Sequence, residues 1–309
     1  MKVVFMGTPG FAVPALKKLH EFGHEIKLVV TQPDRPSGRG KKLKESDVKQ
    51  AAQELGLNVF QPQKIKEKEN VEILKKCSPD VIVVVAYGQI LGREILEVPK
   101  YGCINVHASL LPSLRGAAPL NWAIINGETK TGVTTMKMDI GMDTGDMLLK
   151  SEVEIDESMN VGMLHDVLMN KGAKLLIETL DKLEKGLLKP EKQDDVLSSY
   201  APMLNKENQR INWNKSAKDI YNLIRGLSPL PSAYFKRGDK TVKVYESSYI
   251  VEEKGFRPGY VIKAAGDGIY VAAGDGVVVL KEIKMPGKNK MKADAYLRGN
   301  KFPENIVLD

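Results

Sequence analysis

This sequence of 309 residues predicts an α/β fold in two parts: a mostly parallel sheet covered on both faces by helices, then a small β-barrel. Short apolar runs alternate with helical stretches through the first half, the pattern of a parallel sheet whose strands are buried on both faces. A polar stretch at residues 189–209, broken by Pro190 and Pro202, interrupts that alternation. Beyond it the chain turns to runs rich in Val, Tyr and Gly, punctuated by Asp-Gly pairs that signal hairpins. The expected boundaries are a first domain at 1–188, a linker at 189–209 and a second domain at 210–309. The first domain is Rossmann-like, so its ligand crevice should lie off the carboxyl ends of the strands.

Taken in order, strands are expected at residues 2–6, 25–30, 80–86, 102–106 and 132–138, with helices at 12–22 and 46–55. Gly7-Thr8-Pro9-Gly10 follows the first strand like a dinucleotide fingerprint. The full GxGxxG spacing is missing and Pro9 removes a backbone donor, so the segment reads as a tight turn at the rim of the cleft. His20-Glu21-Phe22-Gly23-His24 matches the HExxH zinc string, but Gly23 sits where the helix should end, and the two rings should not converge. Asp139, Asp143 and Asp146 lack the alternating spacing of a calcium loop, so no metal is expected. Residues 32–44 form a basic loop with Arg35, Arg39, Lys41, Lys42 and Lys44, which Pro33 and Pro36 keep from becoming helix. A long helix should run from the cap Asn160 to Lys185, with Gly186 as its stop. A short helix at 217–225 follows, then hairpins at Asp267-Gly268 and Asp275-Gly276.

Composition argues for a globular protein: 42% hydrophobic and 28% charged residues are ordinary values. No apolar run has membrane-spanning length, and a strand pattern begins at residue 2, so neither anchor nor leader is expected. Cys77 and Cys103 are two lone thiols, which points to a reducing, cytoplasmic setting. Residues 1–209 carry 28 Lys and Arg against 28 Asp and Glu, whereas 210–309 carry 18 against 11, so the whole +7 lies in the tail. A neutral front and a basic tail suggest a catalytic domain joined to a polyanion-binding one. The bland alternative is a solubilising bias.

The most informative stretch is Asn105-Val106-His107 followed by SLLPSLRGAAP at 109–119. Residues two apart on a strand share a face, so Asn105 and His107 can aim at one reacting atom. Downstream lies DIGMDTGD at 139–146, a glycine-broken loop. These motifs resemble those of the folate-dependent formyltransferases, which carry an Asn-x-His pair, SLLP with RGAAP, and an Asp in a DTGD loop. The likeness extends to TQPDRPSGRGKKL at 31–43, RGLSP at 225–229 and Leu297-Arg298-Gly299, and so covers nearly the whole chain. One departure is Leu230, where a Trp would be expected; it bears on packing of the tail.

The resemblance implies transfer of formyl from 10-formyltetrahydrofolate to the α-amine of methionine carried on initiator tRNA. It implies catalytic roles for Asn105, His107 and Asp143, and a folate site lined by Ser109, Leu110, Leu111 and Pro112 with backbone from 85–91. It further implies that Arg39, Lys41 and Lys42 meet the tRNA acceptor arm and that the tail barrel is OB-like; no membrane or metal partner is expected, and a monomer is. The trio also makes chemical sense on its own. Acyl transfer to an amine passes through an adduct whose oxygen gains negative charge, and an amide N–H and an imidazolium are suitable donors to it. A carboxylate nearby orients the imidazole and helps take the proton leaving the amine. Taken singly, Asn105 reads as a turn cap, His107 as a satisfied strand-end histidine and Asp143 as a loop former; as a set they read as chemistry. A small-molecule formyltransferase would leave the basic tail and loop unused, and an inert RNA-binding relative should have lost the trio.

Overall fold

The computed structural model describes residues 1–37, 42–252 and 255–309, arranged in two compact units. The first comprises 1–116, 131–154 and 165–201; the second comprises 117–130, 155–164 and 202–309.

In the first unit the strands are, in chain order, β1 (Lys2–Gly7), β2 (Glu25–Val30), β3 (Arg35–Ser37), β4 (Lys42–Lys44), β5 (Val59–Phe60), β6 (Val81–Val85), β7 (Cys103–His107), β8 (Arg115–Gly116), β9 (Lys130–Lys137), β10 (Met147–Glu154) and β11 (Tyr200–Ala201). Seven of them form one sheet in the order β10-β9-β7-β6-β1-β2-β5. β1, β2, β5, β6 and β7 run parallel, and β9 joins β7 antiparallel, so the sheet is mostly parallel and Rossmann-like. Residues Val3 to Gly7 of β1 and all of β6 are buried, as expected of central strands covered on both faces. Helices α1 (Val13–Glu21), α2 (Asp47–Glu54), α3 (Lys68–Lys76) and α4 (Arg93–Leu96) fill the crossovers. α1 ends at Glu21 and Gly23 takes φ +74°, which places His24 beyond the helix that carries His20.

The basic segment expected as an open loop is a hairpin: β3 pairs antiparallel with β4, Arg35 opposite Lys44. Of the three basic residues singled out there, Arg39 and Lys41 lie outside the described residues, and Lys42 is described only as backbone of β4. The segment expected as a polar linker is tied to the first unit as far as residue 201. β11 pairs parallel with β8, and Glu191 exchanges two backbone hydrogen bonds with Met147. The stretch is largely exposed, yet its backbone and Gln193 find partners in the first unit.

The second unit holds α5 (Pro119–Ile125), the start of α6 (Val161–Glu184), α7 (Ala217–Gly226) and α8 (Ala293–Gly299). Its strands are β12 (Ala233–Arg237), β13 (Lys240–Ile250), β14 (Val261–Ala265), β15 (Gly268–Ala272), β16 (Val277–Lys284) and β17 (Met291–Lys292). They make one antiparallel sheet in the order β12-β13-β16-β15-β14, with β17 on β16. A closed barrel is not formed among the described residues. The edge strands β12 and β14 do not pair with each other; the chain end bonds both instead. Val261 donates to the Ile306 carbonyl at 2.8 Å, and Lys236 donates to the Asp309 carbonyl at 3.2 Å. The core beneath combines Ile220 and Ile224 of α7 with Phe235, Val244, Val271 and Leu280 of the sheet.

Candidate active site

β7 carries the two side chains with the clearest chemistry to a carboxyl end of the sheet. Pairing with β6 and β9 on either side sets its position: Asn105 lies opposite Met136 and His107 opposite Thr134. α6 lies close behind it, because Gly172 leaves no room for a side chain against Val106. Asn105 is half-buried, and its amide forms no hydrogen bond among the described residues. His107 is buried, and its Nε2 donates to the Leu114 carbonyl at 2.9 Å. Its Nδ1 faces Asp143 Oδ1 at 3.7 Å, the longest link of the constellation.

Asp143 sits on a backbone of φ +55°, uncommon for a residue with a side chain. Its other oxygen accepts from the Gly116 N–H at 2.8 Å. Leu114 at φ +59° in the turn after β7 and Ala86 at φ +47° just past β6 share this conformation, as does Ser78 at φ +43° away from these segments. Strain of this kind concentrates at functional sites.

The turn after β7 is held from inside. Ser109 Oγ donates to the Ser113 carbonyl at 2.6 Å; Thr134 Oγ1 donates to the Ser109 carbonyl at 2.7 Å and accepts from Leu111 N–H at 3.1 Å. Leu111 is buried against Met136 and Met147, and the Leu111–Pro112 peptide is cis. Ser109 and Leu111 thus point inward, whereas Leu110 and Pro112 are half-buried. Behind the turn the guanidinium of Arg115 is 2% exposed, its Nε donating to Gln193 Oε1 at 2.9 Å and its Nη2 lying 2.8 Å from Asp195. Gln193 and Asp195 come from the stretch read as a linker, and no local sequence signal marks them.

Off the ends of β1, β2 and β6 the crevice opens into a cavity of about 390 Å³ lined by Thr8, Gln32, Arg35, Lys44, Ala86 and Tyr87, among others. Thr8 Oγ1 donates to the Tyr87 carbonyl at 2.8 Å, so the glycine-proline turn after β1 forms part of the cavity rim. Burial pushes the Tyr87 hydroxyl up to about 12, which keeps it neutral. It also pushes the Cys103 thiol up to about 12, so this cysteine is packing rather than nucleophile. Among the described residues no group of His, Cys, Asp and Glu has the arrangement of a metal site, and no helix is long and apolar enough to cross a membrane.

Comparison with known proteins covers both units. A family described as formyl transferase matches residues 1–180, and one described as formyl transferase, C-terminal domain, matches residues 203–301. The chain is 54% identical over 309 residues to the methionyl-tRNA formyltransferase of Clostridium novyi, covering all of both proteins. It is 52% identical to that of Clostridioides difficile over 308 residues, again covering all of both. Among solved structures, an N-formyltransferase from Helicobacter canadensis in complex with folinic acid and dTDP-3-aminofucose aligns over 91% of this chain and 99% of its own, with a TM-score of 0.67 and 18% identity. HypX from Aquifex aeolicus in complex with tetrahydrofolic acid aligns over 96% of this chain and 47% of its own, with a TM-score of 0.65 and 19% identity.

Proposed function

This chain belongs to the formyltransferase family, and from that premise we infer that it transfers the formyl group of 10-formyltetrahydrofolate to the α-amino group of methionyl initiator tRNA. One observation carries the reading: an uncommitted amide, Asn105, stands two residues from a histidine faced by a carboxylate, His107 and Asp143. The methionyl amine attacks the formyl carbon, and the oxygen of the tetrahedral adduct accepts from the Asn105 N–H. One proton leaves the amine as its bond to carbon forms; the bond from carbon to folate N10 breaks, and N10 takes a proton to give tetrahydrofolate. His107 and Asp143 manage that proton, and the substrate amine serves as nucleophile, so no covalent enzyme intermediate is needed. With Nε2 engaged by Leu114, Nδ1 is the nitrogen that works with Asp143.

Ser109, Leu110, Leu111 and Pro112 shape the folate side of the crevice, chiefly through the turn they build. Arg39, Lys41 and Lys42 contact the acceptor arm. Catalysis belongs to 1–188 and tRNA binding to 210–309, joined through 189–209, with the basic antiparallel sheet acting in the manner of an OB-like barrel. The reaction calls on no metal, suits a monomer and belongs in the cytoplasm, where initiator tRNA is charged. The decisive assay mixes the purified protein with the formyl donor and with methionine-charged initiator and elongator tRNAs. Formyl-methionine on the initiator tRNA is expected; formylation of a nucleotide-linked amino sugar instead would overturn the assignment.

A further inference from the structure

The structure assigns Gln193 the role of a positioning residue that holds Asp143 against His107; this rests on the reading of Asp143 given above. Gln193 lies in a run, residues 189–197, in which every other position is exposed, yet it is itself half-buried. Its side-chain amide is fully used. Oε1 accepts from Arg115 Nε at 2.9 Å, while Nε2 donates to the Asp143 carbonyl at 2.7 Å and to the Gly145 carbonyl at 2.8 Å. A guanidinium N–H can only donate, so the oxygen end must face Arg115 and the NH₂ end must face the two carbonyls. The orientation is therefore set by chemistry, and only an amide satisfies both ends.

Two features make these contacts matter to the reaction. Asp143 holds a left-handed backbone, φ +55°, which must be stabilised by its surroundings, and Gln193 grips the carbonyl of that same residue. The Asp143 carboxylate spans Gly116 N–H at 2.8 Å and His107 Nδ1 at 3.7 Å, and Gly116 directly follows Arg115. Arg115 is buried and paired with Asp195, so Gln193 couples the Asp143 loop to a fixed point behind the turn. A loop set adrift by a few tenths of an ångström would weaken the longest link of the trio first.

The test uses the full chain in steady-state and single-turnover formylation of methionyl initiator tRNA, with folate affinity and melting temperature measured alongside. Gln193→Ala should lower kcat by roughly ten- to a hundred-fold, the loss seen when groups that orient metal-binding side chains are removed and taken as a guide, with KM for the folate donor unchanged. Gln193→Glu separates positioning from simple support. It keeps, and by charge strengthens, the partner of Arg115, but sets an oxygen against two carbonyls. Turnover as low as in Gln193→Ala at a near-normal melting temperature is expected; normal turnover in Gln193→Glu overturns the proposal. In an Asp143→Asn background Gln193→Ala should add little, because coupled sites are not additive. The same fold-loss in both backgrounds also overturns it. If Asp143→Asn alone leaves turnover intact, it is the reading of Asp143 that fails.

Discussion

Asn105 and His107 are two residues apart, yet their side chains stand in different states. The histidine is committed at Nε2 to the Leu114 carbonyl, whereas the amide is uncommitted among the described residues. In the proposed mechanism this leaves Asn105 as the donor to the developing oxyanion. Asn105→Ala should lower turnover by roughly a hundred- to a thousand-fold, the usual loss for one oxyanion donor. His107→Ala and Asp143→Asn should also impair turnover strongly while leaving tRNA affinity nearly intact. Single-turnover rates and separate tRNA binding measurements check this, and full activity in His107→Ala would sink the mechanism. The pair was readable in the sequence because strand period is a local property. Gln193 was not readable, because its partners Arg115, Asp143 and Gly145 lie 78, 50 and 48 residues away along the chain.

Caps made the helices legible at the next scale. Ser46 accepts from Lys49 N–H at 3.0 Å, Ser216 from Asp219 N–H at 3.0 Å and Asn160 from Met163 N–H at 3.0 Å, so α2, α7 and α6 begin within a residue of expectation. Ser46 also shares a 2.7 Å hydrogen bond with the buried Thr31 hydroxyl. Ser46→Ala should destabilise the protein by about 1–2 kcal/mol, the upper part of the range for a lost N-cap, as read from urea unfolding; an unchanged midpoint would show the cap to be idle. Short pairings were harder to see. β5 has two residues and β3 and β4 three each, too few to carry a periodic pattern. The basic segment between β3 and β4 invites its own experiment. Arg39→Ala should slow formylation of charged initiator tRNA far more than it weakens folate binding, since a planar fork suits phosphate or a guanine edge. Lys41→Ala and Lys42→Ala should give smaller losses that shrink at high salt. Unchanged formylation in all three would return the segment to a solvated surface.

At the scale of the whole molecule, the division of the chain is not the division of the sequence. Residues 117–130 and 155–164 belong to the second unit although they lie inside the first predicted domain. They are held there by specific bonds. Asn121 Nδ2 donates to the Gly226 carbonyl at 2.8 Å, and Arg225 Nη1 donates to the Asp156 and Met159 carbonyls at 3.2 and 3.0 Å. Tyr221 Oη donates to the Glu157 carbonyl at 2.8 Å. The RGLSP stretch thus has an architectural task through Arg225, while Leu230, the departure from the expected Trp, is 73% exposed and fills no core. A chain ending at residue 201 would leave these groups and the apolar face of α5 without partners. It should melt well below the full chain and aggregate; a soluble fragment with the parent melting temperature would show the contacts to be dispensable.

Sequence alone determined what depends on neighbours along the chain: the strand–helix alternation, the capped helix starts, the Asn-x-His pair, the Asp-Gly hairpins and the concentration of charge in the tail. Periodicity, capping and turn chemistry act over a few residues, so they can be read without a fold. Only the tertiary structure decided what depends on closure over long distances. It ties a polar stretch to the first unit through Glu191, Gln193 and β11, and moves two internal segments to the second unit. It also spans β12 and β14 with the chain end where a closed barrel was expected. The linker stretch is as exposed as its polar composition suggests, yet the structure still pairs its backbone and Gln193 with the first unit. Which distant group supplies the partner is settled by packing, and no local pattern records it.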